Sequence, residues 1–174
     1  MLQKSKKMTG LLLIMLSLTI VGVSAYVYES ATQTVTQTIV EISTIGLKNP
    51  ALGNINEGET ETYTNATVED LGDAIAITTT KTFVKLHLTS NLASMNTTYS
   101  EYDIAVKLVA KPAGSSLVVG TTYCTLSILS PDYSSINLDA TGTYKFNFEI
   151  ITHAKSVDSD TDTTVTITVS AEST

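Results

Sequence analysis

Four stretches of the chain alternate apolar and polar residues with a period of two. Val84, Leu86 and Leu88 stand against Phe83, Lys85 and His87, and Ile104, Val106 and Leu108 against Asp103, Ala105 and Lys107. Tyr144, Phe146, Phe148 and Ile150 are interleaved with Lys145, Asn147 and Glu149, and Val165, Ile167 and Val169 with Thr164, Thr166 and Thr168. Successive side chains of an extended chain point to opposite faces, so each stretch reads as a strand with one buried side. Residues 59–64, 74–80, 116–119 and 122–129 are weaker strand candidates. Turn-forming residues separate these runs at 54–58, 111–115, 131–132, 141–142 and 158–162. Short helical turns fit 68–71 and 92–95, and no longer helix is predicted after residue 30. Strands at this spacing predict an all-β fold, a jelly-roll or immunoglobulin-like β-sandwich forming one domain without internal repeats.

Before this domain the alternation changes phase. Val27, Ala31, Val35 and Ile39 share odd positions opposite Thr32, Thr34, Thr36 and Thr38, whereas Val40 and Ile42 fall on even ones. A single strand cannot bury both sets against one core. The break assigns 40–47 to the first strand of the chain's own domain and leaves 26–39 as a protruding β-prone arm. An exposed apolar strand is an aggregation hazard unless it pairs. It can fold back onto its own sheet, or complete a neighbour's sheet by donor-strand complementation. Burying Val27, Val35 and Ile39 contributes about 1.5 to 3 kcal/mol each, and net ladder hydrogen bonds about 1 kcal/mol apiece. Ordering the arm costs roughly 1 to 2 kcal/mol per residue, so docking requires a preformed groove.

The start of the chain has the layout of an export signal. Lys4, Lys6 and Lys7 precede an uncharged stretch, 8–28, whose apolar core at 11–23 is shorter than the about 20 residues of a membrane span. The core ends in Val23-Ser24-Ala25, which fits signal-peptidase cleavage between Ala25 and Tyr26. The expected organisation is a signal peptide over 1–25, a donor-strand arm over 26–39 and a β-sandwich over 40–174. Cleavage after Gly10 by a prepilin-type peptidase is the competing expectation. It would retain 11–28 as an assembly helix, as in a type IV pilin-like subunit; an uncleaved membrane anchor is the third.

Composition reinforces the strand pattern: 30 threonines and 8 tyrosines, no tryptophan and 3 prolines suit pleated sheet. Beyond residue 25 the chain carries 7 lysines, no arginine and 17 acidic residues, a net charge of −10. Such a balance disfavours nucleic acid and anionic lipid and suits an extracellular surface; membrane contact is expected only during export. The single cysteine, Cys124, alternates with Leu126 and Ile128 and reads as a small buried hydrophobe.

No residue set has the look of an active site, and the chain is not expected to be an enzyme. His87 and His153 are its only histidines, far apart in sequence, and HExxH, G-x-S-x-G and phosphate-cradling glycine motifs are absent. No cofactor is expected. Asp158, Asp160 and Asp162 alternate as calcium loops do, but Thr163 replaces the sixth-position glycine and Val169 the twelfth-position glutamate. That leaves a solvated acidic turn, or a looser calcium site between subunits. Asn65 and Asn96 open N-x-T sequons in expected loops and are candidate N-glycosylation sites that would mark outward-facing surface.

The order of features resembles the camelysin/TasA-like group of secreted filament subunits and is most similar to its archaeal members, the bundling pilins. The resemblance is carried by LGNINEGETETYT at 52–64, DATGTYKFNFEI at 139–150 and TTVTITVSAE at 163–172. In the first segment Gly53, Ile55 and Gly58 fill the family's turn pattern, with Glu57 where a proline is common. The resemblance implies a jelly-roll subunit whose N-terminal strand enters the neighbouring copy, building a head-to-tail homopolymer. Such filaments form biofilm matrix or bundle laterally between cells. The metallopeptidase label that some camelysin-type proteins bear does not carry over, since the zinc motif is missing. One wall of the acceptor groove is expected at 163–169, because terminal strands often lie at sheet edges. The alternative is a monomeric or membrane-tethered adhesin or binding module with the arm as a stalk.

Overall fold

The computed structural model describes residues 43–173. Ala25, Tyr26, Val27, Ala31, Val35 and Ile39, with the export segment and the arm, lie outside the described residues. Nine strands follow in order: β1 Ser43–Leu47, β2 Thr60–Tyr63, β3 Ile75–Thr79, β4 Val84–Ser90, β5 Tyr99–Ala110, β6 Thr122–Ser127, β7 Tyr133–Leu138, β8 Gly142–Ala154 and β9 Ile167–Ser173. Short 3-10 turns at Glu69–Leu71 and Leu92–Thr97 break the β pattern where helical turns are expected. The fold is thus nearly all-β and built from two antiparallel sheets.

The larger sheet has the order β1-β3-β8-β5-β6, with β2 also paired to β8. Its centre is β8, which pairs with β5 along one side and with β3 and then β2 along the other. The alternation of β8 explains that place. Tyr144, Phe146, Phe148, Ile150, Thr152 and Ala154 are all buried, while Lys145, Asn147, Glu149 and His153 lie on the wetter face. Lys107 and Glu149 pair at 2.9 Å, and Lys145 and Asp73 at 2.6 Å, on that polar side. Partly exposed pairs of this kind add about 0.2 to 1 kcal/mol each, so the buried row, not the charges, holds the sheet.

The smaller sheet is three-stranded, in the order β7-β4-β9. Its centre, β4, buries Val84, Leu86 and Leu88 completely. Together with Ile75, Ile77, Ile104, Leu108, Leu126, Leu138, Tyr144 and Phe146 they form one contiguous core. At the margin of this core Tyr99 and Tyr102 meet edge to face with ring centroids 5.0 Å apart.

The sequence reading needs three adjustments. Residues 116–119 are not a strand: they belong to the 111–121 connection, where Val118 and Val119 face solvent. The Ser115 and Ser116 side chains at its start are drawn off the strand path to the Asp139 carboxylate. A strand not anticipated, β7, occupies 133–138, where Ile136 and Leu138 give an alternation too short to stand out. The last strand begins at Ile167 and not at Val165, because Asn91 captures the backbone just before it through bonds to Thr164 and Thr166.

Candidate strand-acceptor groove

The two edges of the small sheet are unlike. At β7, the inward residues Ile136 and Leu138 are 2% and 0% exposed, as well covered as the centre of the sheet. At β9, the inward row Ile167, Val169 and Ala171 is only half-buried, and Val165 just before it likewise. Among the described residues β9 is paired on one side alone, by β4, in an unbroken register from Val84 opposite Ser173 to Ser90 opposite Ile167. The other side of β9 has no neighbouring strand among the described residues.

Beside that edge lies an open groove of about 1040 Å³. Its floor comes from the large sheet, with Ile104 and Tyr102 of β5 and Phe148 and Ile150 of β8, and one wall is Val165, Ile167 and Val169. The opposite wall is the 48–57 segment, which has no regular structure and rests Leu52 and Ile55 against the core. Three contacts hold this strap at its ends. Lys48 N–H donates to the Ala74 carbonyl at 3.1 Å, Gly58 N–H to Ala154 at 3.0 Å, and the Val157 N–H reaches the Glu57 carboxylate at 2.9 Å. Gly58 needs its glycine, since its φ is +70°. The Tyr99 hydroxyl, 2.9 Å from Thr163 Oγ1, ties the rim of the floor to the wall leading into β9.

The groove has an apolar floor and an apolar β9 wall, while Asn54, Asn56, Lys155 and Asp160 add polar side chains to its lining. Strand addition in general uses such a combination, the backbone groups of a sheet edge beside a groove for alternate side chains. Burial pushes the Tyr102 phenol well above its ordinary range, so the floor carries no ionised group at neutral pH.

The expected chemical residues lie elsewhere. His87 sits on the outer face of β4, with Nε2 3.0 Å from Glu172 of β9, and His153 sits on the outer face of β8 opposite Glu101. They occupy different sheets and are not brought together. No group of three or more His, Cys, Asp or Glu able to hold a metal occurs among the described residues. Asp158, Asp160 and Asp162 are exposed in the connection before β9, with Asp160 and Asp162 on the groove rim. Asn65 and Asn96 are both exposed. Asn65 stands in a turn closed by Thr67, and Asn96 lies in the last part of the Leu92–Thr97 3-10 turn, where its backbone carbonyl accepts the Lys155 ammonium at 2.5 Å. Cys124 is buried, and burial raises its thiol to about 12.

No protein-family model matches the chain, and no curated protein matches it.

The C-terminal strand stands at an edge of the small sheet, as its terminal position suggested. The strap was not foreseen. Its signal was available in LGNI, where two aliphatic residues three apart interrupt a turn-rich segment too polar to need them.

Proposed function

We propose that this chain is the structural subunit of an extracellular filament that polymerises by donor-strand complementation. The arm, 26–39, of one copy completes the small sheet of the next by pairing with the free side of β9. The observation that carries this reading is the contrast between the well-covered inward row of β7 and the half-wetted inward row of β9 in one sheet. A sheet of three strands facing a sheet of six lacks cover on one side, and the chain's own sequence supplies a Thr-rich apolar strand of the right kind. The resemblance to camelysin/TasA-like filament subunits and archaeal bundling pilins supports the same assembly.

The physical requirements agree. The groove stands open with its floor already packed, so an incoming strand need not create a cavity. Covering the remaining exposed part of Val165, Ile167 and Val169 contributes on the order of 1 kcal/mol each, in addition to the arm's own Val27, Val35 and Ile39. Pairing with β9 adds net hydrogen bonds of about 1 kcal/mol apiece and removes an exposed sheet edge.

The test is to purify the secreted chain with and without 26–39 and image both by electron microscopy. The intact protein forms filaments and the deletion remains as discrete particles. Adding a synthetic 26–39 peptide to the deletion raises its melting temperature without restoring filaments. Filaments from the arm-deleted protein overturn the proposal. Discrete particles from the intact protein point to a monomeric binding module instead.

A further inference from the structure

Past residue 25 the longest run without a charged residue is 112–131, 20 residues between Lys111 and Asp132 in a chain whose net charge over that part is −10. Inside this run lies β6, which stands at one edge of the large sheet. Among the described residues it pairs on one side alone, with β5. Folded proteins commonly guard such edges with lysine, proline or an irregularity of the strand. Here the guard is a single register shift beside Val106. From Cys124 to Ser127 the ladder runs unbroken, and Thr125 in that half is exposed.

Each end of β6 closes in a tight turn that holds an aliphatic side chain in solvent. Before the strand, Thr121 N–H donates to the Val118 carbonyl at 3.4 Å, and Val118 and Val119 are 62% and 50% exposed. After it, Ser127 and Ser130 exchange backbone hydrogen bonds, and Leu129 between them is 95% exposed. The two turns, 118–121 and 127–130, lie at equal distance from Cys124, and Val119 and Leu129 are each five positions from it. An edge with matching ends about a central residue is self-complementary. In an antiparallel pair with a second copy, residue i meets j where j meets i.

We infer that β6 is a self-association edge: two copies of this chain pair their β6 strands antiparallel about Cys124, with the Val119 turn of each against the Leu129 turn of the other. The lack of charge suits a second copy in particular. Identical chains bring the same charges to a shared edge, and like charges opposite one another across a strand pair are destabilising. The Cys124 side chain stays in its own core on both sides. A six-residue edge with two turn tips is small beside the about 1,200 Å² of a standard interface, so the pairing is weak and forms where copies are concentrated. It uses neither β9 nor 26–39, and it goes beyond the filament reading without resting on it. Being two-fold, the contact is complete once two copies meet, and it joins them side by side.

The experiment uses the full chain carrying Val119→Cys, Leu129→Cys or both, treated with a short bismaleimide over a series of protein concentrations. A denaturing gel then shows covalent species alone. The unsubstituted chain is the control, since Cys124 is buried. A mixture of the two single variants is expected to give cross-linked dimers whose yield rises with concentration, and each single variant alone gives none. The double variant stops at the dimer, because two-fold pairing sets both bridges between the same two copies. A ladder of multimers from the double variant shows a head-to-tail contact and overturns the inference. Dimers from one single variant overturn it too, as does a mixture that yields no cross-link. As a second readout, Thr125→Lys lowers the dimer yield of the mixture about fivefold, the effect of like charges across a strand pair, with the melting temperature unchanged. An unchanged yield at that variant overturns the two-fold about Cys124. Whether the chain forms filaments is read separately by electron microscopy and alters none of these outcomes.

Discussion

Asp139 accepts a 2.5 Å hydrogen bond from the Ser115 hydroxyl, joining two connections that are 24 positions apart in the chain. The Ser116 hydroxyl and N–H add bonds of 2.5 and 2.7 Å to the other carboxylate oxygen, and the buried Tyr144 hydroxyl, 3.3 Å away, completes the set. These donors, the Ser115 hydroxyl first, hold the Asp139 carboxyl well below the usual carboxylate range. Its folded pKa lies below its unfolded value of about 3.9, so its contribution is present above that pH and is lost as pH falls through and below it. Asp139→Asn is expected to lower stability at pH 7 by about 1 to 2 kcal/mol, with the deficit shrinking below about pH 4. Urea denaturation at both pH values checks it.

Asp103 has the opposite sign. Burial and then the neighbouring Glu101 raise its carboxyl above the ordinary value. Its charged form is disfavoured in the folded protein, so the penalty is present at neutral pH and disappears as pH falls below its unfolded value. Asp103→Asn should therefore raise the urea midpoint at pH 7 and leave it unchanged near pH 3. A destabilised variant at pH 7 would contradict the assignment.

Gly142 opens β8 with φ +124°, and a Cβ there would come within 2.7 Å of the Pro112 side chain. Gly142→Ala forces both a strained backbone and a displaced proline beside the Asp139 hub. The expected cost is about 2 to 4 kcal/mol, read as a fall in melting temperature. Gly53, with open space around it, should accept alanine with little change.

The groove makes a distinction between residues of similar chemistry. Leu86 at the centre of the small sheet is fully buried, and Leu86→Ala should destabilise the monomer by about 2 to 5 kcal/mol. Val169→Ala, on the half-covered row, should cost the arm-deleted monomer under about 1 kcal/mol but weaken filaments well beyond that. Comparing monomer melting with filament depolymerisation for the pair tests whether the β9 row is completed by another strand.

Cys124 should be silent to thiol reagents. Its burial removes access and raises the thiol to about 12, so the thiolate is scarce at neutral pH. Reaction with a chromogenic disulfide is expected only at the rate of unfolding, and addition of urea should release it. Rapid labelling of the folded protein would show that β6 opens locally.

The parts of the fold legible in the sequence are those where one face is dry and the other wet. β4, β5 and β8 announce themselves because Leu86, Val106 and Phe146 alternate with lysine or histidine. β7 stayed hidden because Ser134 and Ser135 leave only Ile136 and Leu138 to signal a face. The 116–119 stretch misled because Val118 and Val119 are aliphatic without being buried, a choice that local propensity cannot distinguish from a strand. The groove was partly visible. Terminal position placed 163–169 at an edge, but the strap with Leu52 and Ile55 depends on long-range contacts that no local period records.

The inequality of the two edges of the small sheet has a consequence in the language of polymer chemistry. The half-covered row of β9 takes one strand by strand exchange and the buried row of β7 takes none, so in this reading each subunit has an acceptor valence of one and, through its arm, a donor valence of one. In the proposed assembly such a monomer grows linearly and cannot branch. A copy without 26–39 still receives a strand but offers none, so small amounts of it act as a chain stopper, and filament length varies inversely with its mole fraction.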